Sequence, residues 1–384
     1  MQAIICGNTA LDFWRRHSDP LNGIESVWEY EPARKGPVRL CAPSVALVDD
    51  LADALNLSEP VEMLVTSQDM RRQLPNAVCT LCTGPFPANS FARVRSHMFV
   101  TTPEFTFLLL ARTLGLVQLL ELGYELCGTY RMIDGRPEYG CAPLTSAPKL
   151  RLFTQRATGI HGRTAALQAC QWLLNNSASP AETALSIAFK LPYRQGGYGL
   201  RDFELNHELV LNDNAARILG RNTIRPDIFF IQARYPVEYD GPMFHSGQTQ
   251  PERDERRRNA YNAMNMSVSI FQPRHLTDFS LFDGMMRAIR ANTRQRQNRV
   301  PAGYELIKYR LLSEVFRYWN EIRAPGGNPQ AQPVDSWDAT RGPWGSTNSL
   351  WSSDRHAGDS ERHAWGTEGN AWDPERDLYV NDWL

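Results

Sequence analysis

The stretch Arg225-Pro226-Asp227-Ile228-Phe229-Phe230 and, after a short gap, Tyr235-Pro236-Val237-Glu238-Tyr239-Asp240-Gly241 places three acids inside two apolar, strand-like runs. Strand interiors disfavour Asp, so the acids need a reason to be there. Side chains two residues apart on a strand point to one face, which puts Glu238 and Asp240 together. A tight reversal around Gln232-Ala233-Arg234 would bring Asp227 across from them. Carboxylates gathered in this way repel, and their pKa values rise unless a cation sits among them. Clustered hard oxygen ligands suit Mg²⁺ or Mn²⁺, which makes Asp227, Glu238 and Asp240 candidate metal ligands. The same spacing also fits three unrelated solvated acids on an edge hairpin.

Working outward, Ser179-Pro180-Ala181-Glu182 opens a helix. Ser179 can cap it, Pro180 suits the first turn, and Glu182 complements the N-terminal dipole. The helix carries Leu185, Ile187, Phe189 and Leu191 and is broken by Gly196-Gly197-Tyr198-Gly199. Strands are expected over 204–211, 225–231, 235–240 and 267–272, with a polar helix from Glu252 to Met264 joining the last two. The order helix–strand–strand–strand–helix–strand predicts an α/β domain with a mixed central sheet flanked by helices. Two further helical patterns cover 281–296 and 302–322. The domain is expected over 177–324.

Residues 1–176 predict a separate α+β domain. Asn8-Thr9 reads as a helix cap before Ala10-Leu11-Asp12-Phe13-Trp14. Val45 to Leu55 reads as an amphipathic helix, with strands over Val61–Val65, Ala77–Cys82 and Met98–Val100. Thr101-Thr102-Pro103-Glu104 opens an apolar helix over 104–115, and helices follow near 116–127, 149–158 and 161–175.

The chain has 384 residues, 42% of them hydrophobic, and a net charge of −1, so any basic surface must be local. No apolar run is long enough to span a membrane, and the N-terminus lacks signal-peptide regions. Seven scattered cysteines suit a reducing cytoplasm better than a disulfide framework. Cys79-Thr80-Leu81-Cys82 has zinc-ligand spacing but lacks a second close pair, so buried structural thiols are the better reading. Residues 325–384 are rich in Gly, Asp, Ser and Asn, which predicts a disordered tail. Its six Trp residues (337, 344, 351, 365, 372 and 383) would allow it to dock on a protein partner, stack on bases or tack onto the parent domain.

The pattern Ser179-Pro180-Ala181-Glu182, Arg225-Pro226-Asp227, Glu238-Tyr239-Asp240-Gly241 with His245, and Asp254 with Arg257 resembles a known family. It is similar to the endonuclease-like domains related to very-short-patch-repair endonuclease, within the PD-(D/E)XK superfamily. The likeness covers roughly residues 177–275. Asn8-Thr9-Ala10-Leu11-Asp12-Phe13-Trp14, Val100-Thr101-Thr102-Pro103-Glu104 and Gly159-Ile160-His161-Gly162-Arg163 resemble the effector-side region of AbiEi-type antitoxins, without their winged helix-turn-helix. That departure puts direct promoter binding in doubt.

The resemblance implies Mg²⁺-dependent hydrolysis of DNA phosphodiesters. Asp227 would bridge the metal, Glu238 would complete the site, and Glu182 would hold a second metal or a water bound to one. The superfamily expects Lys where this chain has Asp240, a departure consistent either with two-metal use or with lost activity. His245 is the nearest replacement for acid–base work, although a lone His after a loop is more often structural. Arg253, Arg256, Arg257 and Arg258, and then Arg287, Arg290 and Arg294, supply local positive charge for nucleic acid. The alternative for such runs is a solvated helix face. For Arg257 the alternative is an ion pair that supports the site. Two functions follow as expectations: a metal-dependent nuclease of phage defence or of a mobile element, or an inactive nuclease fold serving as an antitoxin-like or DNA-binding regulator.

Overall fold

The computed structural model describes residues 2–17, 40–95, 98–241, 250–297 and 299–317. The first half contains β1 (Ala3–Ile5), α1 (Gly7–His17), α2 (Val45–Leu55), β2 (Val61–Val65), β3 (Ala77–Leu81), β4 (Phe91–Arg95), β5 (Met98–Thr101), α3 (Pro103–Leu110), α4 (Leu116–Leu126), β6 (Tyr130–Ile133), β7 (Arg136–Tyr139), α5 (Ala147–Arg156) and α6 (Arg163–Cys170). The second half contains α7 (Pro180–Lys190), β8 (Phe203–Leu205), β9 (Leu209–Val210), α8 (Asp213–Leu219), β10 (Thr223–Ile224), β11 (Ile228–Phe230), β12 (Tyr235–Tyr239), α9 (Gln250–Ala263), β13 (Ser269–Phe271), α10 (Pro273–Thr277), α11 (Phe279–Asn292) and α12 (Tyr304–Val315).

A five-stranded mixed sheet, in the order β3-β2-β1-β5-β4, organises the first half. β1 sits at its centre, parallel to β5 and antiparallel to β2. Ile5, Phe13, Val48, Leu51, Leu55, Met63 and Val100 form the core between this sheet, α1 and α2. Apart from half-buried Glu104 in its first turn, α3 is buried on every side and correspondingly apolar, and Thr102 caps it by accepting from the Phe105 N–H. β1 and the β6–β7 hairpin were not expected from the sequence. Strands of three or four residues are too short to show a period against a helical background. The helix expected over 161–175 shortens to Arg163–Cys170. Asn8-Thr9 does not cap α1, which already begins at Gly7. Instead the Asn8 N–H and Nδ2–H donate to Glu62 Oε1, while Thr9 Oγ1 accepts from the Glu62 N–H.

The second half is built on a four-stranded sheet, β13-β12-β11-β8. β11 is antiparallel to both β8 and β12. β12 and β13 are parallel, and α9 lies between them in sequence, as a parallel pair requires. The order helix–strand–strand–strand–helix–strand is therefore present, with one insertion. The strand expected over 204–211 is interrupted at Asn206, whose φ is +50°. Its second part, β9, pairs with β10 instead of joining the main sheet, and α8 fills the gap. Leu211, Ala215 and Ile224 of this insertion pack on Ala260 and Tyr261 of α9.

No flexible linker marks the boundary expected after residue 176. The Asn176 N–H donates to Cys127 O (3.0 Å) and the Thr129 N–H to Ser177 O (2.7 Å). Tyr130 OH and Thr183 Oγ1 lie 3.0 Å apart, and Arg317 forms a two-pronged pair with Glu121 of α4. All described residues belong to one compact unit. The seven cysteines are free thiols, with Cys79 and Cys82 both buried. Among the described residues, no helix is long and apolar enough to cross a membrane. Residues 325–384, with the Trp-rich tail, lie outside the described residues.

Candidate active site at the end of the second sheet

The reversal expected at 232–234 forms over 231–234, with the Arg234 N–H donating to Ile231 O (3.2 Å). It fixes Ile228 opposite Val237. The strand pairing stops one residue short of Asp227, which forms the bend leading into β11 beside the end of β12 that carries Glu238. Asp227 Oδ2 accepts the Tyr239 N–H at 2.6 Å, which ties the acid to the backbone of β12. Glu238 Oε1 accepts from two groups on α9, Arg257 Nη2 and Tyr261 OH, each at 2.5 Å. Arg257 Nη2 also reaches Arg225 O at 3.1 Å, so the guanidinium spans both acid-bearing strands.

The third acid of the cluster is Glu182, in the first turn of α7. Ser179 caps that turn as expected, accepting the Glu182 N–H at 3.2 Å. The Glu182 carboxylate is buried. It accepts from the Ala178 N–H (2.8 Å), Ser179 Oγ–H (3.0 Å) and Asn206 Nδ2–H (2.6 Å). Asn206 carries its own N–H to Asp227 O (3.1 Å), and so links the helix acid to the strand acid.

Burial and neighbouring negative charge oppose the ionisation of Asp227 and Glu182. Burial first, and then the charges of Glu238 and Glu182, hold Asp227 well above the usual carboxylate range. Burial, with a contribution from Glu238, pushes Glu182 up to about 7 despite its three donors. Tyr261 is raised by burial and by the charge of Glu238. Arg257 is raised as well: burial acts against its charge, and Glu238, Tyr261 and Asp227 together more than offset that.

Among the described residues, no three His, Cys, Asp or Glu side chains are grouped to hold a metal ion. The expected trio Asp227, Glu238 and Asp240 is corrected to a pair facing Glu182. Asp240 lies two strand residues, about 7 Å, beyond Glu238. Its N–H is bound to Phe271 O at 2.7 Å. The pair still has the donor chemistry of a hard divalent ion. Its hydrogen bonds fall on Asp227 Oδ2 and Glu238 Oε1. Mg²⁺ commonly binds through one or two carboxylates and keeps several waters.

His245 lies outside the described residues, as does the side chain of Arg253. Arg256 and Arg258 are exposed on α9, whereas Arg257 turns inward. Arg290 does not join a basic surface. Its Nη2–H donates to Tyr198 O (2.6 Å), its Nη1–H to Arg296 O (3.0 Å), and its guanidinium lies over the Tyr193 ring. Tyr193 and Tyr198 follow the C-terminal end of α7, about 12 Å along the helix from Glu182. Arg287 and Arg294 are exposed. Asn206 and Tyr261 were missed by sequence reasoning. Tyr261 had a signal, since it follows Arg257 by four residues on a polar helix and so shares its face. Asn206 had none.

No family model, curated protein or solved structure matches this chain. A cavity of about 650 Å³ lies elsewhere, lined by Asn8, Arg16, Glu62, Thr80 and Arg112 among others. Several of its polar groups are already satisfied, Arg16 by Asp12 and Asp134 and Glu62 by Asn8.

Proposed function

We propose that the chain is a metal-dependent phosphodiester hydrolase acting on DNA, as its likeness to PD-(D/E)XK endonuclease-like domains implies. The observation that carries this reading is the meeting of Asp227, at the entrance to β11, with Glu238 on the adjacent β12, close enough to Glu182 for the three charges to act on one another. Asp227 and Glu238 would hold the ion. When bound, a divalent ion supplies a Lewis acid that faces the phosphate and activates water near neutral pH. The chain's own residues do the rest. The Tyr239 N–H and Tyr261 OH fix the two carboxylates, and Asn206 and Ser179 orient Glu182. With a pKa of about 7, Glu182 is suited to exchange a proton at neutral pH. Arg256 and Arg258, exposed on α9, are available to phosphates.

Plasmid incubated with Mg²⁺ or Mn²⁺ tests the proposal. Nicking by the full chain, lost in both Asp227→Ala and Glu238→Ala, is the expected result. Nicking that survives both substitutions, or none by the parent chain, would refute it. Two observations favour a second reading. Arg257 already neutralises Glu238 within the protein, and Asp240 stands where the superfamily has Lys. An inactive fold that binds DNA as a regulator would show salt-sensitive binding unchanged by either substitution and no cleavage.

A further inference from the structure

We infer that Arg257 is a built-in competitor for the divalent ion and thereby sets ion affinity at the Asp227–Glu238 pair, while Tyr261 orients Glu238 to receive that ion. This inference rests on the hydrolase proposal and concerns the same site.

The two α9 groups converge on a single oxygen. Arg257 Nη2–H and Tyr261 OH both donate to Glu238 Oε1 at 2.5 Å. Among the described residues, Asp227 likewise has one bonded oxygen, Oδ2, held by the Tyr239 N–H. Glu238 Oε2 and Asp227 Oδ1 therefore remain for an outside partner, one from each acid. The two α9 groups differ in kind. Tyr261 brings a neutral hydroxyl, and its ring is anchored in the α8–α9 core beside Ala260 and Met266. It fixes direction without opposing a cation. Arg257 brings a permanent positive charge, which no accessible pH removes. Its side chain is 25% exposed against 14% for Glu238, so it is the more accessible member of the ion pair. Its second anchor, Arg225 O at 3.1 Å, holds it over both strands. A divalent ion entering here meets a guanidinium already bound to one of its two ligands. Both are positioning residues acting through Glu238, with opposite signs for ion affinity.

Mn²⁺ binding to the full-length chain, counted by electron paramagnetic resonance of the free ion, provides a readout independent of cleavage. Arg257→Met and Arg257→Gln both remove the charge, and the second keeps an amide donor for Glu238. Each is expected to tighten Mn²⁺ by at least about tenfold, because one unit charge a few ångströms from a divalent ion outweighs that even at the dielectric of bulk water. Arg257→Lys keeps the charge and is expected to leave affinity near that of the parent. Tyr261→Phe is expected to weaken Mn²⁺ severalfold. A merely structural role would make all four variants weaker, in step with loss of thermal stability, and that result would overturn the inference. So would Arg257→Lys tightening as much as Arg257→Met. Parent and Arg257→Gln chains that melt cooperatively yet bind no Mn²⁺ sensitive to Glu238→Gln would refute the hydrolase proposal itself, and the inference with it. Parent and variants that bind Mn²⁺ equally would overturn only the inference.

Discussion

Replacing Glu182 with Gln should stabilise the protein at pH 8 and leave it unchanged at pH 4. Glu182 is buried, and its pKa rises from 4.5 to about 7. At about 1.4 kcal/mol per pH unit, that rise corresponds to about 3 kcal/mol of destabilisation by the ionised group. The sign follows from linkage. Between pH 4.5 and 7 the folded state holds a proton that the unfolded state has lost, so stability falls as pH rises through this window. The penalty is absent below the window and complete above it. Glutamine has the same shape and no charge. Its carbonyl oxygen can take the place of Oε2 and accept from the Ala178 N–H and Asn206 Nδ2–H. Its NH₂ then faces Ser179 Oγ, which has a lone pair to accept it. Removing the charge also relieves Asp227, in the same direction. Urea unfolding of parent and Glu182→Gln from pH 4 to pH 8.5 would measure the difference. It should be near zero at pH 4 and grow to about 3 kcal/mol by pH 8. A difference independent of pH, or a parent chain that gains stability relative to the variant between pH 4.5 and 7, would refute the account of a strained, buried acid.

Three further outcomes follow. Glu125 of α4 is 2% exposed and accepts from Arg15 at 2.6 Å and from the Met132 N–H at 3.0 Å. Glu125→Ala would strand Arg15 in the interior, so thermal or urea unfolding should show a loss of about 3–5 kcal/mol. Arg290→Ala should lower stability, through loss of its bonds to Tyr198 and Arg296, without changing DNA affinity. Arg256→Ala and Arg258→Ala should do the reverse, each weakening DNA binding in a titration and reducing its dependence on log salt by about one.

Much of the second half was legible from local patterns. The cap at Ser179, the reversal near Arg234 and the polar helix before the last strand each depend on residues close in sequence. The partnership of Asp227 with Glu238 could be anticipated because a two-strand reversal fixes register over a short separation. The assignment of Asp240 failed for a related reason. Sharing a face with Glu238 is a local property, whereas standing beside Asp227 depends on which residue the neighbouring strand presents. The basic residues divided in the same way. Helical spacing grouped Arg287, Arg290 and Arg294, but the contact of Arg290 with Tyr193 and Tyr198 comes from chain nearly a hundred residues earlier, whose approach no spacing on α11 reveals.

The sequence by itself determined the element order of the second sheet and the identity of the acid-bearing strands, because apolar runs, turn residues and helix caps act within a few residues. Tertiary structure decided which charges meet. Glu182 faces Asp227 across Asn206, and Arg257 with Tyr261 closes on Glu238, because the main sheet and α9 bring these side chains together from separate parts of the chain. Burial there then sets their ionisation, since the cost of a charge depends on what surrounds it in space and not on its neighbours in sequence.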